Sequence, residues 1–285
     1  MQLADYDTKN QFRATVHASR RISPEDCDEV RELILDVEAP AFHYTLGQSV
    51  GVLLPGNHDI GHKYHFRLYS LSDLPVTQEQ GGTRIALLVK RCDYIDDYSG
   101  ERYKGIASNY LCDLAQGDHI TLTGPYPSPF SLPEDKSANL LMIGMGTGIA
   151  PFRAFVRHIY DELEGWSGQV RLFYGARTGL ELFYMNEHEN DFANYYDEKT
   201  FQAFQAVSPR PQWDGDNAIA HTLAQNEEEV WDMLCHHNTY VYVAGLRFIA
   251  LLLDSVFADM AGSQTHWQQR KAELIAGRRW SELIY

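Results

Sequence analysis

The chain has 285 residues, of which 44% are hydrophobic and 22% charged, with 24 Lys+Arg set against 39 Asp+Glu. That length suggests about two domains of ~100–200 residues each. The net charge of −15 argues against a nucleic-acid binder, because neutralising phosphates needs clustered cations, and against adhesion to anionic membranes. The first ten residues have no apolar core of a signal peptide, and the longest apolar run, Phe248 to Leu253, is far short of the ~18 residues of a spanning helix. Cys27, Cys92, Cys112 and Cys235 form no C-x-x-C pair. Zinc, cluster ligation, disulfides and metal binding in general are therefore not expected, and a reducing cytoplasm fits best.

Along the first part of the chain the apolar runs are short and separated by turn residues. Ser49 to Leu54 is closed by Pro55-Gly56, Arg84 to Val89 is opened by Gly81-Gly82, and His119 to Thr123 is closed by Gly124-Pro125. This pattern predicts a β-barrel or sandwich, with one helix near Tyr110 to Ala115. The polar segment Ser131 to Ser137 reads as a linker. After it, strands alternate with helices. Strands are expected at Leu140–Gly144, Gln169–Tyr174, Phe201–Val207 and Tyr240–Ala244. Helices are expected at about Ala150–Leu163, Glu181–Asn190, Asn217 or Thr222 to His236, Phe248–Met260 and Gln264–Ala276, the last leading to the C-terminus. Such alternation predicts a doubly wound parallel sheet with helices on both faces. The domains are accordingly placed at residues 1–133 and 134–285. Glu227 to Glu229 reads as the solvated start of a helix.

The sharpest motif is Gly144-Met-Gly146-Thr147-Gly148-Ile-Ala-Pro151-Phe-Arg153, which follows a buried strand and opens a helix. Glycines let backbone approach a ligand closely, and a helix N-terminus offers N–H groups to a pyrophosphate. The spacing is neither G-x-G-x-x-G nor a P-loop. A turn without a ligand would look the same in isolation. In the β-rich part, Arg67-Leu68-Tyr69-Ser70 puts Arg67 and Tyr69 on one side of an extended segment and Ser70 on the other. Taken alone, it reads better as an ordinary barrel strand. Gly105-Ile106-Ala107-Ser108 reads as a helix start capped by Ser108.

In order and spacing, RLYS (67–70), VKR (89–91), KGIASNYLCDL (104–114), TGP (123–125), GTGIAPFR (146–153), NTYVYVAGL (238–246) and the terminal Tyr285 resemble the plant-type ferredoxin–NADP(+) reductases, over about Gln11 to Tyr285. The resemblance implies an N-terminal antiparallel FAD-binding β-barrel followed by a C-terminal NADP-binding α/β domain. Hydride would pass between NADP(H) and FAD, and single electrons between FAD and a ferredoxin or flavodoxin. It implies that Arg67 contacts the FAD pyrophosphate, Tyr69 (with Leu68 beside it) stacks on the isoalloxazine, and Ser70 lies near flavin N5. Tyr94 covers the adenine, and Gly105, Ile106, Ala107 and Ser108 hold the phosphates. Gly146, Thr147, Gly148, Gly245 and Leu246 face the nicotinamide dinucleotide, and Tyr285 stacks on the other flavin face and moves aside for nicotinamide. Ser208 and Arg210, with Arg177 as a replacement cation, are expected at the 2′-phosphate, while Asp214 and Asp216 would repel it. NADH therefore remains an alternative to NADPH.

Three positions depart from the family pattern. Ala244 and Ala107 stand where family members carry cysteine, and Leu283 stands at the place of the near-terminal glutamate, so Glu282 is the candidate carboxylate for proton handling. Lys63, Lys90, Arg91, Arg102 and Lys104 are candidates for a basic rim that receives an acidic partner. The alternative readings are the reductase arm of an oxygenase or other multicomponent pathway, and a poorly active flavin-binding redox sensor.

Overall fold

The computed structural model describes residues 6–55, 64–79, 81–96, 98–163, 165–208 and 218–285. The chain folds as two compact units, Met1–Ser128 and Pro129–Tyr285.

The first unit is built on a seven-stranded antiparallel sheet in the order β4-β3-β9-β1-β2-β6-β5. Its strands are β1 (Gln11–Arg21), β2 (Val30–Val37), β3 (Ser49–Pro55), β4 (Tyr64–Ser70), β5 (Val76–Thr77), β6 (Thr83–Lys90) and β9 (His119–Tyr126). Just beyond β4, Leu71 bridges Leu87 of β6, so the sheet curls back on itself as a barrel. Alternation in β2 buries Leu33, Leu35 and Val37, which join Val50, Val52, Leu87 and Leu122 in one core. Leu111 and Cys112 of helix α1 (Ile106–Asp113) plug that core. The helix starts four residues before the expected Tyr110, because Gly105 rather than Ser108 is its N-cap. A separate hairpin, β7 (Asp93–Ile95) and β8 (Arg102–Lys104), stands on the surface. Strand β9 continues through a cis Gly124–Pro125 bond rather than closing at Thr123.

The second unit has a five-stranded, wholly parallel sheet in the order β12-β11-β10-β13-β14. The strands are β10 (Asn139–Met145), β11 (Val170–Ala176), β12 (Phe201–Val207), β13 (Thr239–Gly245) and β14 (Trp280–Ile284). Helix α2 (Ile149–Arg157) lays Phe152 and Phe155 on one face, beside Phe130 and Tyr242. Leu141, Ile143, Val241 and Val243 face the other core, shared with α3 (Ala218–Gln225), α4 (Glu227–Cys235), α5 (Phe248–Met260) and α6 (Gln264–Ala276). Ser263 caps α6 by accepting from the His266 N–H at 3.2 Å. The family's two-domain architecture is therefore present: an antiparallel barrel, then a doubly wound parallel sheet. No helix among the described residues is long and apolar enough to cross a membrane.

Three further expectations need correction. No α-helix forms over 181–190: Gly179–Glu181 is a single 3₁₀ turn, Tyr184 has φ +63°, and the Asn186 side chain accepts from His188 and Glu189 N–H groups. The expected helix ending at His236 is two helices, α3 and α4, broken at Asn226. The chain does not simply trail away after α6 but adds β14 to the sheet edge. Glu227 to Glu229 do open helix α4 as expected, with Glu227 and Glu228 exposed, and Glu229 also accepts from Arg171 at 2.6 Å. The polar segment after Phe130 is tied down as well: Tyr242 donates to the Ser131 carbonyl at 2.7 Å, and Phe130 is buried.

Candidate active site

In the first unit, β4 carries Arg67, Leu68, Tyr69 and Ser70 opposite Val52, Gly51, Val50 and Ser49 of β3. Arg67 is exposed and one of its N–H groups donates to the Phe66 carbonyl at 2.8 Å. Tyr69 is half-buried and packs against the barrel core. Burial, with the Cys92 and Cys112 thiols nearby, pushes its phenol far up, so Tyr69 is neutral at any working pH.

The turn before α1 is clamped to the end of the segment after β6. Gly105 N–H donates to the Cys92 carbonyl at 2.8 Å, and the Asn109 amide donates to the Cys92 and Gly105 carbonyls at 2.9 Å each. Arg91 in turn donates to the Asn109 side chain at 3.0 Å. A β-carbon on Gly105 would lie 2.7 Å from the Cys92 carbonyl oxygen, so only glycine lets the two backbones approach this closely. Ser108 does not cap the helix; its hydroxyl accepts from the Cys92 N–H at 3.1 Å. Asn109, which sequence reasoning passed over, does most of the clamping. On the β7–β8 hairpin, Tyr94 is 54% exposed. It stacks on its cross-strand partner Tyr103 with ring centroids 5.7 Å apart.

In the second unit, β10 ends in a turn where Gly146 takes φ +54°, a conformation that favours glycine. The 3₁₀ turn Gly146–Gly148 runs straight into α2. A β-carbon on Gly148 would sit 2.5 Å from the carbonyl oxygen of Ala244, so the turn is pressed directly onto β13. Two tyrosines hold it. Tyr174 is fully buried, donates to the Gly146 carbonyl at 2.8 Å and accepts from the Phe183 N–H at 3.3 Å. The hydroxyls of Tyr285 and Thr147 are 3.0 Å apart and hydrogen-bonded, and Tyr285 reaches the Met145 carbonyl at 3.4 Å. The backbone N–H of Tyr285 donates to the Gly245 carbonyl at 3.1 Å. Gly146, Thr147, Gly148, Gly245 and Tyr285 are thus brought together, with Leu246 exposed at the end of β13. Nothing in the sequence flagged Tyr174; its place inside an apolar strand made it look like core.

Other candidates are placed differently. Glu282 shares a strand face with Trp280, accepts from the Trp280 indole at 2.6 Å and lies 3.5 Å from the Lys271 ammonium. Tyr285 and Leu283 project from the opposite face of that alternation. Glu282 is therefore drawn into a structural cluster with Lys271 and Trp280 rather than to the Thr147–Tyr285 pair. Arg177 donates to Glu181 at 2.8 Å. Ser208 is buried at the end of β12, while Arg210, Asp214 and Asp216 lie outside the described residues, as does Lys63. Of the candidate basic rim, Lys90 pairs with Asp28, Arg91 with Glu29 and Asp113, and Arg102 with Asp93, at 2.6–2.9 Å. Lys104 is exposed.

Comparison with known proteins places this geometry. Residues 142–252 match the model of the oxidoreductase NAD-binding domain. Ferredoxin–NADP reductase of Synechocystis is 31% identical, over 90% of this chain and 63% of its own. Leaf isozyme 1 of Oryza sativa subsp. indica is 33% identical, over 85% and 68%, and leaf isozyme 1 of Arabidopsis thaliana 32%, over 98% and 79%. The chain thus spans about two thirds to four fifths of the length of these relatives. Among solved structures, ferredoxin–NADP+ reductase from Plasmodium falciparum has the same fold, with a TM-score of 0.71 at 20% identity over 99% of this chain and 98% of that one. A barrel that carries the 67–70 strand, a parallel sheet that carries the 146–148 turn, and relatives this similar over most of the chain lead to one conclusion: the chain belongs to the ferredoxin–NADP reductase family of flavoprotein oxidoreductases.

Proposed function

We propose that the protein binds FAD and NADP(H), passes hydride between them, and exchanges single electrons with a ferredoxin or flavodoxin. The observation that carries this reading is the glycine turn pressed onto Ala244, with the Tyr285 phenol hydrogen-bonded to Thr147 across it. A turn that closely packed leaves backbone rather than side chain facing a ligand.

The residues present fit both groups. In the first unit the N–H groups of Ile106, Ala107 and Ser108 open a helix, where a pyrophosphate is favoured by dipole and donors. Arg67 adds a guanidinium suited to phosphate, Tyr94 an exposed ring for adenine, and neutral Tyr69, beside Leu68, a ring for the flavin with Ser70 at its edge. FAD would supply the step from two-electron to one-electron chemistry, while the chain supplies position and electrostatics. In the second unit, Gly146, Thr147, Gly148, Gly245 and Leu246 would receive the nicotinamide nucleotide. Tyr285 must first give up its bond to Thr147, so the phenol guards the turn and excludes water until nucleotide arrives.

Ser208 and Arg177 are the described candidates for a 2′-phosphate, with Arg210 expected beside them. A structural neighbour, the Plasmodium falciparum enzyme, was solved with 2′P-AMP, which supports a 2′-phosphate site in this fold. Arg177 would have to exchange Glu181 for that phosphate, and this engagement is the observation that keeps NADH, and with it the reductase arm of a multicomponent oxygenase, as the second reading. A reducing, cytoplasmic setting is part of this reading, in keeping with four cysteines that form no C-x-x-C pair. Because Lys90, Arg91 and Arg102 are paired with carboxylates, partner docking should depend on salt less steeply than a bare basic rim would. The test is steady-state reduction of cytochrome c through added ferredoxin, with NADPH or NADH as donor. Ferredoxin-dependent turnover with NADPH is expected; turnover confined to NADH, or indifferent to ferredoxin, would favour the second reading.

A further inference from the structure

Tyr94 stands on a three-residue strand of a surface hairpin, where a lone exposed ring would sample several rotamers. It does not stand alone. Tyr103, directly opposite in register, lies under it at 5.7 Å and 25°. Tyr103 is itself fixed, because its hydroxyl donates to Glu101 at 2.7 Å. Next to the pair, Arg102 and Asp93 close the same hairpin with an ion pair of 2.9 Å. The first contact holds the Tyr103 ring, the second ties its strand to that of Tyr94, and Tyr103 in turn braces Tyr94. Both rings nevertheless keep about half their surface open, 54% and 43%. A stacked aromatic pair left this exposed is a platform rather than a piece of core.

We infer that Tyr103 is a positioning residue for the adenine of the dinucleotide and, through Tyr94, sets the preference for FAD over FMN. The inference rests on the reading above that Tyr94 covers the adenine. Preorganisation of Tyr94 lowers the ordering cost of binding, and an adenine on its open face extends a two-ring stack to three. FMN has no adenylyl group and gains nothing from either ring.

The test uses the full chain reconstituted with FAD or with FMN, and reads both dissociation constants from flavin fluorescence on dilution. Tyr103→Ala is expected to weaken FAD by about three- to tenfold and to leave FMN within about twofold; Tyr103→Phe, which keeps the ring but loses the bond to Glu101, should fall between Tyr103→Ala and wild type. In Tyr94→Ala the FAD preference should fall at least as far, and adding Tyr103→Ala to it should cause no further loss. Equal weakening of FAD and FMN by Tyr103→Ala, or no effect on either, would overturn the inference. If Tyr94→Ala lowers the preference and Tyr103→Ala does not, only the role of Tyr103 falls. If Tyr94→Ala leaves the preference intact, the adenine reading itself falls.

Discussion

The two units hold their candidate ligand groups by different means. In the second unit the site is a matter of backbone: Gly148 touches the Ala244 carbonyl, Gly146 takes a left-handed conformation, and buried Tyr174 pins the turn. In the first unit the site is a matter of side chains: Arg91, Asn109 and Ser108 clamp the start of α1, while Tyr94 and Tyr103 brace each other in the open. Backbone packing cannot yield by rotamer change, whereas side-chain clamps can be weakened one bond at a time. Substitutions should therefore act abruptly in the second unit and by degrees in the first.

The largest effect is expected at Gly148. Gly148→Val puts carbon where only 2.5 Å separates the turn from backbone. Displacement of the turn by about 1 Å should cost on the order of 100-fold in kcat/KM for NADPH, with FAD content unchanged. A variant that keeps wild-type kcat/KM would show that nucleotide does not use this turn. Next comes Arg91→Ala, which removes a half-buried guanidinium and leaves Glu29, Asp113 and Asn109 without it. The loss should be about 2–3 kcal/mol, seen in urea unfolding as earlier release of flavin.

Acid should separate the units further. At Glu29, burial works to raise the carboxyl, but hydrogen bonds from Arg91 and Arg31 outweigh it, and the folded value falls below 4.5. Asp36 is held below 3.8 chiefly by its hydrogen bonds from Arg84, against a smaller opposing effect of burial. Carboxyls lowered on folding stabilise above their unfolded values, and that contribution is lost as pH falls through the folded ones. Below about pH 4.5, the barrel should therefore start to lose stability. All five tryptophans lie after residue 128, so indole emission reports the second unit and flavin release the first; release should come first during acid titration. A smaller effect is expected at the terminus. Tyr285→Phe removes the bond to Thr147, so NADP+ should bind about two- to fivefold more tightly in equilibrium titration; unchanged affinity would mean that the phenol does not guard the turn.

Much of this was legible because residue type and backbone need coincide. Phe201–Val207, Phe248–Met260 and Gln264–Ala276 match their expected bounds, since β-branched and aromatic residues or a capped periodic run specify them locally. The glycine turn was legible because few sequences tolerate three glycines in five positions. Strand β14 was not, since a five-residue segment with Ser and Glu at its centre owes its conformation to the open edge of β13. The expected helix over 181–190 fails because Asn186 caps a turn and the apolar run Leu182 to Met185 is buried on all sides. The Asn109 bond to the Cys92 carbonyl, the Arg91–Glu29 pair and the diversion of Glu282 to Lys271 are contacts across distant chain segments or between strand and helix. No local pattern encodes them.

The central claim, that reducing equivalents enter through the 146–148 turn from NADPH, is tested most directly by anaerobic stopped-flow of the flavin-loaded chain. NADPH and NADH are mixed at equal concentration and absorbance is followed in the flavin band. Rapid bleaching by NADPH, far faster than by NADH, is the predicted result. Bleaching by neither nucleotide would contradict it.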